Sequence, residues 1–162
     1  MKQQLIYYPT PSLQQPSGRV EDISAAVSLA PDLIDTMIAE RGIGIAAPQV
    51  GTNIQLAIIN KDADPGLMDH LAIINPKIFS ASRDVEIDTE GCLSIPGVEG
   101  DVPRHKKIKV RYTDAEGVEH KIKATGLFAR VLQHEIDHLN GILFIERATR
   151  ITKGGDLLAP TS

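Results

Sequence analysis

The stretch Gln133-His134-Glu135-Ile136-Asp137-His138-Leu139 places two imidazoles four residues apart, with a carboxylate directly after the first. On an α-helix, positions i and i+4 lie on one face about one turn apart, so His134 and His138 can face the same ion. Glu135 is rotated by about 100° around the helix axis, where it can act on a water at the metal without being a ligand. The HExxH pattern therefore predicts a metal-binding helix at the centre of the fold.

The composition excludes several classes of partner. A length of 162 residues suits one domain, residues 1–162, with enough chain to bury a sizeable core. A net charge of −4 and a pI near 5.7 give no basic field for nucleic acid or an anionic membrane. The cations within residues 106–111 alternate with apolar residues, as on the solvated face of a strand. We expect no nucleic-acid site, and no apolar stretch reaches bilayer length.

The single cysteine, Cys92, excludes an intrachain disulfide. It fits a reducing compartment and makes metal binding or catalysis the interesting roles for the thiol, although a lone cysteine is usually a small buried hydrophobe. Residues 1–7 lack the apolar region and cleavage site of a signal peptide. A cytoplasmic protein is expected.

Periodicity and turn residues outline the remaining chain. Prolines predict an irregular arm over residues 1–19, docked by Leu5, Ile6 and Tyr7. Residues 22–40 have a helical pattern, in which Pro31 predicts either a kink or the first turn of a fresh helix. Strands are predicted at 54–59, 71–75, 85–87, 108–112 and 118–122, the last two forming a hairpin. Residues 95–100 are predicted to form a loop, and the chain from about residue 147 a short polar tail.

The second predicted helix, residues 125–139, carries the HExxH pattern and ends before Gly141. It is apolar over much of its surface, which predicts burial, and buried histidines must be satisfied inside the protein. Ligation meets that requirement better than a bare charged pair. Strands followed by one such helix predict an α+β fold, with antiparallel β-sheets surrounding a central metal-binding helix.

A catalytic metal site commonly uses three protein ligands and keeps one position open. The residues alone leave the third ligand undecided among Cys92, Glu90, Glu146 and another histidine. Cys92 is attractive because it lies in a turn-like segment after a strand. A thiolate with two imidazoles suits iron(II), zinc, nickel or cobalt.

Three segments then point to one family. They are Gly42-Ile43-Gly44-Ile45-Ala46-Ala47-Pro48-Gln49, Glu90-Gly91-Cys92-Leu93-Ser94 and Gln133-His134-Glu135-Ile136-Asp137-His138-Leu139-Asn140-Gly141. In order and separation they resemble the signature motifs of peptide deformylases, from Tyr8 to Phe144. The resemblance implies removal of the formyl group from N-formylmethionine of nascent polypeptides at the ribosome, releasing formate. It also implies one divalent metal per chain, with Fe²⁺ expected and Zn²⁺, Ni²⁺ or Co²⁺ able to replace it.

The resemblance also implies roles for individual residues. Glu135 would be the general base that deprotonates the metal-bound water, so that hydroxide attacks the formyl carbonyl, and would then protonate the departing amine. The side-chain amide of Gln49 and the backbone N–H of Leu93 would stabilise the oxyanion. The metal ligands would be Cys92, His134 and His138.

Substrate contacts are implied on either side of the metal. Backbone groups of Ile43 and Gly44 would align the peptide like an added strand. Leu127 and Val131 would line an apolar pocket for the methionine side chain, with plain core packing as the alternative. Pairing around the ligands is expected from Glu90, Asp137 and Arg130.

The sequence departs from the family pattern at several places, among them Glu99 and the C-terminal tail. Glu99 stands where many bacterial members place a basic residue that helps to hold the peptide, which bears on peptide preference. The tail is too short and polar for the long C-terminal helix of many bacterial forms.

Two alternative functions were considered. A zinc endopeptidase usually has a third His or a Glu downstream of HExxH, and no histidine follows His138. A catalytically weak, deformylase-like peptide-binding protein would lack Glu135, Gln49 or a ligand, and all are present. A monomer is expected.

Overall fold

The computed structural model describes residues 1–158, which form an α+β fold. The elements are α1 (Ile23–Ala39), β1 (Gly44–Ala46), β2 (Leu56–Ile59), β3 (Leu71–Ala81), β4 (Val85–Cys92), β5 (Ile95–His105), β6 (Lys107–Thr113), β7 (Glu119–Thr125), α2 (Gly126–Leu139), α3 (Phe144–Arg147) and β8 (Arg150–Lys153). The strands form a five-stranded sheet in the order β1-β2-β3-β6-β7 and a three-stranded sheet in the order β4-β5-β8. Their pairings are antiparallel, as predicted.

Helices cover both faces of the five-stranded sheet. Ile58 of β2 packs in a cluster with Leu33 of α1, whereas the next residue, Ile59, packs in a cluster with Leu132 of α2. Successive side chains of a strand point to opposite faces, so α1 and α2 lie on opposite sides of the sheet. Each fully buried leucine or isoleucine contributes roughly 1.5–3 kcal/mol relative to exposure.

Helix α2 is central, as the sequence predicts. It packs against β1, β2, β6 and β7 of the larger sheet and against β5 of the smaller one. Nearly all of its residues after Leu127 are buried. The helix begins after Thr125 and is terminated by Gly141, whose φ of 76° is a backbone conformation that glycine adopts without strain.

Helix α1 begins at Ile23, where the side chain of Asp22 accepts a hydrogen bond from the Ser24 N–H at 2.9 Å. It continues through Pro31 to Ala39 as one helix. The alternative of a fresh helix at Pro31 is therefore wrong. Packing of Leu33 and Met37, both fully buried, holds the second half in line despite the missing N–H.

The N-terminal arm docks through a partly different set of side chains from the one predicted. Leu5 is buried, and the Ile6 N–H donates to the Gln49 carbonyl at 2.7 Å. Tyr7 is 46% exposed, so its predicted docking is wrong. Instead Tyr8 packs against the small-sheet core, and its N–H donates to the Ser94 carbonyl at 2.9 Å.

The predicted β6–β7 hairpin is confirmed, but the prediction of a loop at residues 95–100 is wrong. This segment begins β5, which pairs with β4 from Val85↔His105 to Cys92↔Ile95. Two prolines and two glycines conceal the strand, because neither residue favours a sheet. Pairing on both sides, with β4 and β8, overrides that weak propensity. Strands β3 and β4 are likewise longer than predicted.

The predicted polar tail also contains regular structure. Residues 150–153 form β8, which pairs with β5, and Ile151 packs against the core of the smaller sheet. Four residues with one apolar side chain carry no recognisable pattern, so only the partner strand makes this segment a strand. Residues 159–162 lie outside the described part of the chain. Within residues 1–158, no helix is both long enough and apolar enough to cross a bilayer.

Candidate functional site

Helix α2 presents His134, Glu135 and His138 inside the protein, where their exposed fractions are 9%, 3% and 1%. The centroids of the two imidazole rings are 5.0 Å apart. This is the spacing that positions i and i+4 of a helix produce. The structure therefore brings the two predicted ligands together on one face.

Cys92 provides a third donor at the end of β4. Its Sγ lies 3.3 Å from Nε2 of His138, and one donor atom from each of Cys92, His134 and His138 lies within 4.8 Å of the other two. The other candidates are used elsewhere. Glu90 accepts a hydrogen bond from Nδ1 of His134 at 2.8 Å, and Glu146 accepts one from the Leu143 N–H at 2.6 Å.

The donor set fits a divalent transition metal. Burial lowers the pKa of His138 well below its ordinary value, so this imidazole is neutral, as ligation requires. Burial alone would also lower the pKa of His134, but the nearby Cys92 thiol and the hydrogen bond with Glu90 outweigh it and raise that pKa. Because Nδ1 of His134 faces Glu90, its Nε2 is left for the cluster. One sulfur and two imidazole nitrogens match iron(II), zinc, nickel or cobalt.

Glu135 is a buried carboxyl beside this cluster. Its Oε1 has no hydrogen-bond partner among residues 1–158. A Cβ placed on Gly44 would lie 2.7 Å from Oε2 of Glu135 and 3.0 Å from Val131, so glycine at 44 leaves room for the carboxyl. Burial raises the pKa of Glu135 to about 7. A carboxyl in this state can both accept and return a proton near neutral pH.

Gln49 faces Cys92 from the short helical turn after β1. Its side-chain oxygen accepts a hydrogen bond from the Ala46 N–H at 2.9 Å, which orients the amide. The amide nitrogen lies 3.2 Å from Oγ of Ser94 and 3.6 Å from Sγ of Cys92. Leu93 lies in the two-residue turn between β4 and β5, and no hydrogen bond among residues 1–158 uses its N–H.

A cavity of about 410 Å³ opens onto the cluster. Its walls include the predicted substrate-contacting residues Ile43, Gly44, Leu127 and Val131, together with Gln49, Cys92, Leu93, His134 and Glu135. Leu127 is 52% exposed, which excludes plain core packing for this residue. Val131 is almost fully buried and belongs to the core as well as to the wall.

Comparison with known proteins identifies the family. A family model described as polypeptide deformylase matches residues 2–154. The peptide deformylase of Synechococcus sp. (strain CC9605) is 46% identical over 138 residues, 85% of this chain and 69% of that protein. The chain belongs to the polypeptide deformylase family.

Solved deformylase structures have the same fold. The peptide deformylase of Synechococcus elongatus in complex with actinonin has a TM-score of 0.82 at 44% identity, covering 90% of this chain and 78% of that chain. The peptide deformylase of Legionella pneumophila has a TM-score of 0.85 at 35% identity, covering 92% and 87%. The predicted fold class and enzyme class are confirmed. The family is metal-dependent, which agrees with the cysteine–histidine cluster. Membership of this family supports hydrolytic removal of the N-formyl group from nascent peptides as the activity.

A buried charge network lies next to the candidate ligand His134. Glu90, the acceptor for His134, also accepts two hydrogen bonds from Arg104 at 2.9 Å and one from Arg130 at 2.6 Å. Burial alone would raise the pKa of Glu90, but the bonds from Arg104 and His134 outweigh it and hold that pKa far below its usual range. The expected pairing of Glu90 and Arg130 around the ligands is therefore present.

The network continues to the other expected residue, Asp137. Its Oδ2 accepts hydrogen bonds from Arg104 at 2.6 Å and from Arg147 of α3 at 2.5 Å. Neither arginine was predicted from the sequence. The pattern of β5 would have indicated that Arg104 is buried, because the buried residues Val98, Val102 and Arg104 alternate with more exposed positions along that strand. Nothing in the sequence near Arg147 indicates its partner.

Proposed function

We propose that this protein hydrolyses the formyl amide of N-formylmethionyl peptides at the site formed by Cys92, His134, His138 and Glu135. The observation that carries the proposal is one thiol and two imidazoles within 4.8 Å of one another, beside a buried carboxyl, in a cavity of about 410 Å³. The reaction consumes one water and releases formate and a peptide with a free amino group.

Cys92, His134 and His138 would hold one divalent metal, with Fe²⁺ as the proposed physiological ion and Zn²⁺, Ni²⁺ or Co²⁺ as replacements. When bound, such an ion acts as a Lewis acid and makes hydrolytic water more acidic. Glu90 would keep His134 in the tautomer whose Nε2 faces the cluster, through the hydrogen bond at 2.8 Å to Nδ1.

Glu135 would move the protons of the reaction. Its carboxyl group lines the cavity and would accept a proton from the attacking water, then return a proton to the amine as the C–N bond breaks. A positioned general base of this kind contributes about 10²–10⁴-fold in rate. The absence of any hydrogen bond to Oε1 among residues 1–158 supports this assignment, because nothing in the chain competes for that oxygen.

Gln49 and Leu93 would stabilise the negative charge on the former carbonyl oxygen. The amide of Gln49 is pre-oriented by its bond to the Ala46 N–H, so its NH₂ group faces Cys92 at no further cost in ordering. The Leu93 N–H is not engaged within residues 1–158. Two such donors are the arrangement that tetrahedral intermediates of amide hydrolysis require.

The cavity would bind the peptide in an extended form. Strand β1 is an edge strand of the larger sheet, so backbone groups at Ile43 and Gly44 can align a peptide strand. Leu127 and Val131, on one side of α2, would contact the methionine side chain. Both line the cavity next to His134 and Glu135.

The proposed substrates are nascent chains leaving the ribosome in the cytoplasm, met by a monomer. All three donors and Glu135 come from one chain, so the site needs no second subunit. The free thiol of Cys92 fits a reducing compartment.

Formate release from formyl-Met-Ala-Ser by anaerobically purified protein, together with metal analysis, tests the proposal. We expect turnover with about one equivalent of divalent metal per chain. Cys92→Ala should contain little metal and show no turnover. Acetyl-Met-Ala-Ser serves as the control for the formyl group. A wild-type protein that binds the peptide but turns it over with none of the divalent metals would instead be a peptide-binding protein. Unchanged metal content in Cys92→Ala would refute the third ligand.

A further inference from the structure

Strand β8 carries Lys153 to the mouth of the active-site cavity. Lys153 lines this cavity together with Glu99 of β5. The two residues are directly opposite each other in the β5–β8 pairing. Because opposite residues of antiparallel strands project to the same face, the side chains of Glu99 and Lys153 leave the sheet on the side of the cavity that both line.

The line of paired residues from Lys153 to Glu99 continues across the sheet toward Cys92. Gly91, the residue before Cys92, is directly opposite Glu99 in the β4–β5 pairing. A Cβ placed on Gly91 would lie 3.9 Å from Cγ of Glu99, so the Glu99 side chain lies over Gly91. Neighbouring strands are about 4.8 Å apart, which places Glu99 on the inner side of the mouth and Lys153 one strand farther out.

Close backbone approach fixes β8 in this position. Gly154 has a φ of 74°, and a Cβ there would lie 2.1 Å from the carbonyl oxygen of Gly97. A Cβ on Gly100 would lie 2.9 Å from the carbonyl oxygen of Arg150. Both glycines permit β8 to lie against β5 in the register that pairs Glu99 with Lys153.

The two charges are available to a ligand. Among residues 1–158, neither Glu99 nor Lys153 forms an ion pair within 4.0 Å, and both residues are exposed. The cavity wall formed by α2 is apolar at Leu127 and Val131, whereas the wall formed by β5 and β8 carries the opposite charges of Glu99 and Lys153.

We propose that Glu99 and Lys153 form a charge-selective rim that contacts the residues following formylmethionine. Lys153 favours acidic side chains there and Glu99 favours basic ones, so the C-terminal strand is part of the specificity apparatus. This inference rests on the proposed deformylase function. An exposed charge pair changes an equilibrium by roughly 1.4- to fivefold, which sets the size of the expected effect.

Two peptides differing only in charge test the rim: formyl-Met-Glu-Glu-amide and formyl-Met-Lys-Lys-amide. The readout is the ratio of kcat/KM for the acidic peptide to that for the basic peptide, measured with the metal-loaded full chain. Lys153→Gln should lower this ratio by roughly two- to fivefold, and Glu99→Gln should raise it by a similar factor. Both shifts should shrink as ionic strength rises from about 0.01 M to about 1 M, because the Debye length falls from about 30 Å to about 3 Å.

Exposed residues of the same type provide matched controls. Lys123→Gln on β7 and Glu116→Gln in the β6–β7 turn make the same change in net charge away from the cavity lining. Both should leave the ratio unchanged. A ratio that stays constant in Lys153→Gln and Glu99→Gln, or that changes equally in the controls, overturns the rim. Loss of turnover on every formyl peptide by the wild type would instead overturn the proposed function itself.

Gly154→Ala tests whether strand β8 acts through its position. Alanine there meets the Gly97 carbonyl and an unfavourable φ, so β8 should detach from β5 while both charges remain in the chain. We expect the peptide ratio in Gly154→Ala to move in the direction of Lys153→Gln. An unchanged ratio, with β8 shown to be detached by faster amide hydrogen exchange at residues 150–153, would contradict the assignment of Lys153.

Discussion

At the residue scale, Glu135 separates the chemistry from metal binding. It lies next to the predicted ligand His134 in sequence, but its carboxyl faces Gly44 and the cavity. Glu135→Gln keeps the shape of the side chain and removes its ability to take a proton. We expect kcat for formyl-Met-Ala-Ser to fall by about 10²–10⁴-fold while the metal content stays at the wild-type level.

Formate release and metal analysis on the same preparation check this prediction. Glu119→Gln on the exposed β7 strand is the matched control, and its kcat should equal that of the wild type. Substantial residual turnover in Glu135→Gln would show that Glu135 is not the general base. Loss of metal would show that the carboxyl also supports the ligands.

Arg104 was not predicted from the sequence, and we expect the stability of the fold to depend on it. It is 4% exposed and bridges Glu90 to Asp137. Arg104→Leu would leave two buried carboxylates with one arginine fewer. Breaking a buried pair in this way costs about 3–5 kcal/mol, and we expect the lower end because Arg130 and Arg147 remain on Glu90 and Asp137.

Urea unfolding measures this loss of free energy. Arg111→Leu provides the control, because Arg111 is exposed and its ion pair with Glu119 is at 3.6 Å. An exposed pair contributes about 0.2–1 kcal/mol. Equal destabilisation by the two substitutions would show that the buried Arg104 network contributes no more to the free energy of unfolding than an exposed ion pair.

At the scale of elements, the β6–β7 hairpin is organised by Asp114 in its turn. The Asp114 carboxylate accepts hydrogen bonds from the backbone N–H groups of Glu116 and Val118 at 2.8 and 2.9 Å, and contacts Nε2 of His120 at 2.6 Å. The bond with His120, followed by that from Val118, lowers the pKa of Asp114. The ionised carboxylate of Asp114 is therefore more stable in the folded protein than in the unfolded one.

This shift predicts how stability depends on pH. A lowered carboxyl pKa contributes stability that is present above the unfolded value of about 3.9 and is lost as pH falls through the folded value. Asp114→Asn should therefore be less stable than the wild type near pH 6, and the difference should disappear as pH falls below the folded pKa. Thermal unfolding of both proteins from pH 6 downward measures this difference in stability, with Asp156→Asn as the control. A difference independent of pH would exclude the carboxylate as its cause.

The same scale shows where local patterns suffice. The hairpin was predictable because β6 and β7 alternate apolar and charged residues around a turn rich in Asp and Gly. Strands β5 and β8 were not, since β5 contains Pro96, Pro103 and two glycines, and β8 has only four residues. Both exist as strands because a neighbouring strand satisfies their backbone groups.

At the scale of the whole molecule, the candidate metal centre joins two parts of the fold. Cys92 belongs to the β4–β5 hairpin of the smaller sheet, whereas His134 and His138 belong to α2, which packs on the larger sheet. A bound ion would therefore link the two sheets. Ligand binding to the folded state alone stabilises it by about 2.7 kcal/mol at a ligand concentration 100 times Kd.

Removing the metal should lower the melting temperature. For a chain of this length, about 2.7 kcal/mol corresponds to roughly 5–10 °C. Differential scanning calorimetry before and after chelation measures the shift, and hydrogen exchange should increase most at β4 and β5. In Cys92→Ala, the same chelator should change the melting temperature little. Equal shifts in both proteins would show that the metal is bound elsewhere.

The sequence by itself determined the chemistry. HExxH at His134–His138, Cys92 in its Glu-Gly-Cys-Leu-Ser setting and Gln49 after a small apolar segment identify the family, because these local patterns are dictated by what a metal and an amide carbonyl need. Tertiary structure alone decided the surroundings. Arg104 reaches Glu90, Arg147 reaches Asp137 and Lys153 reaches the cavity mouth through contacts between distant parts of the chain. Such contacts leave no periodic signal, since they depend on strand pairing and packing that weak local propensities do not encode.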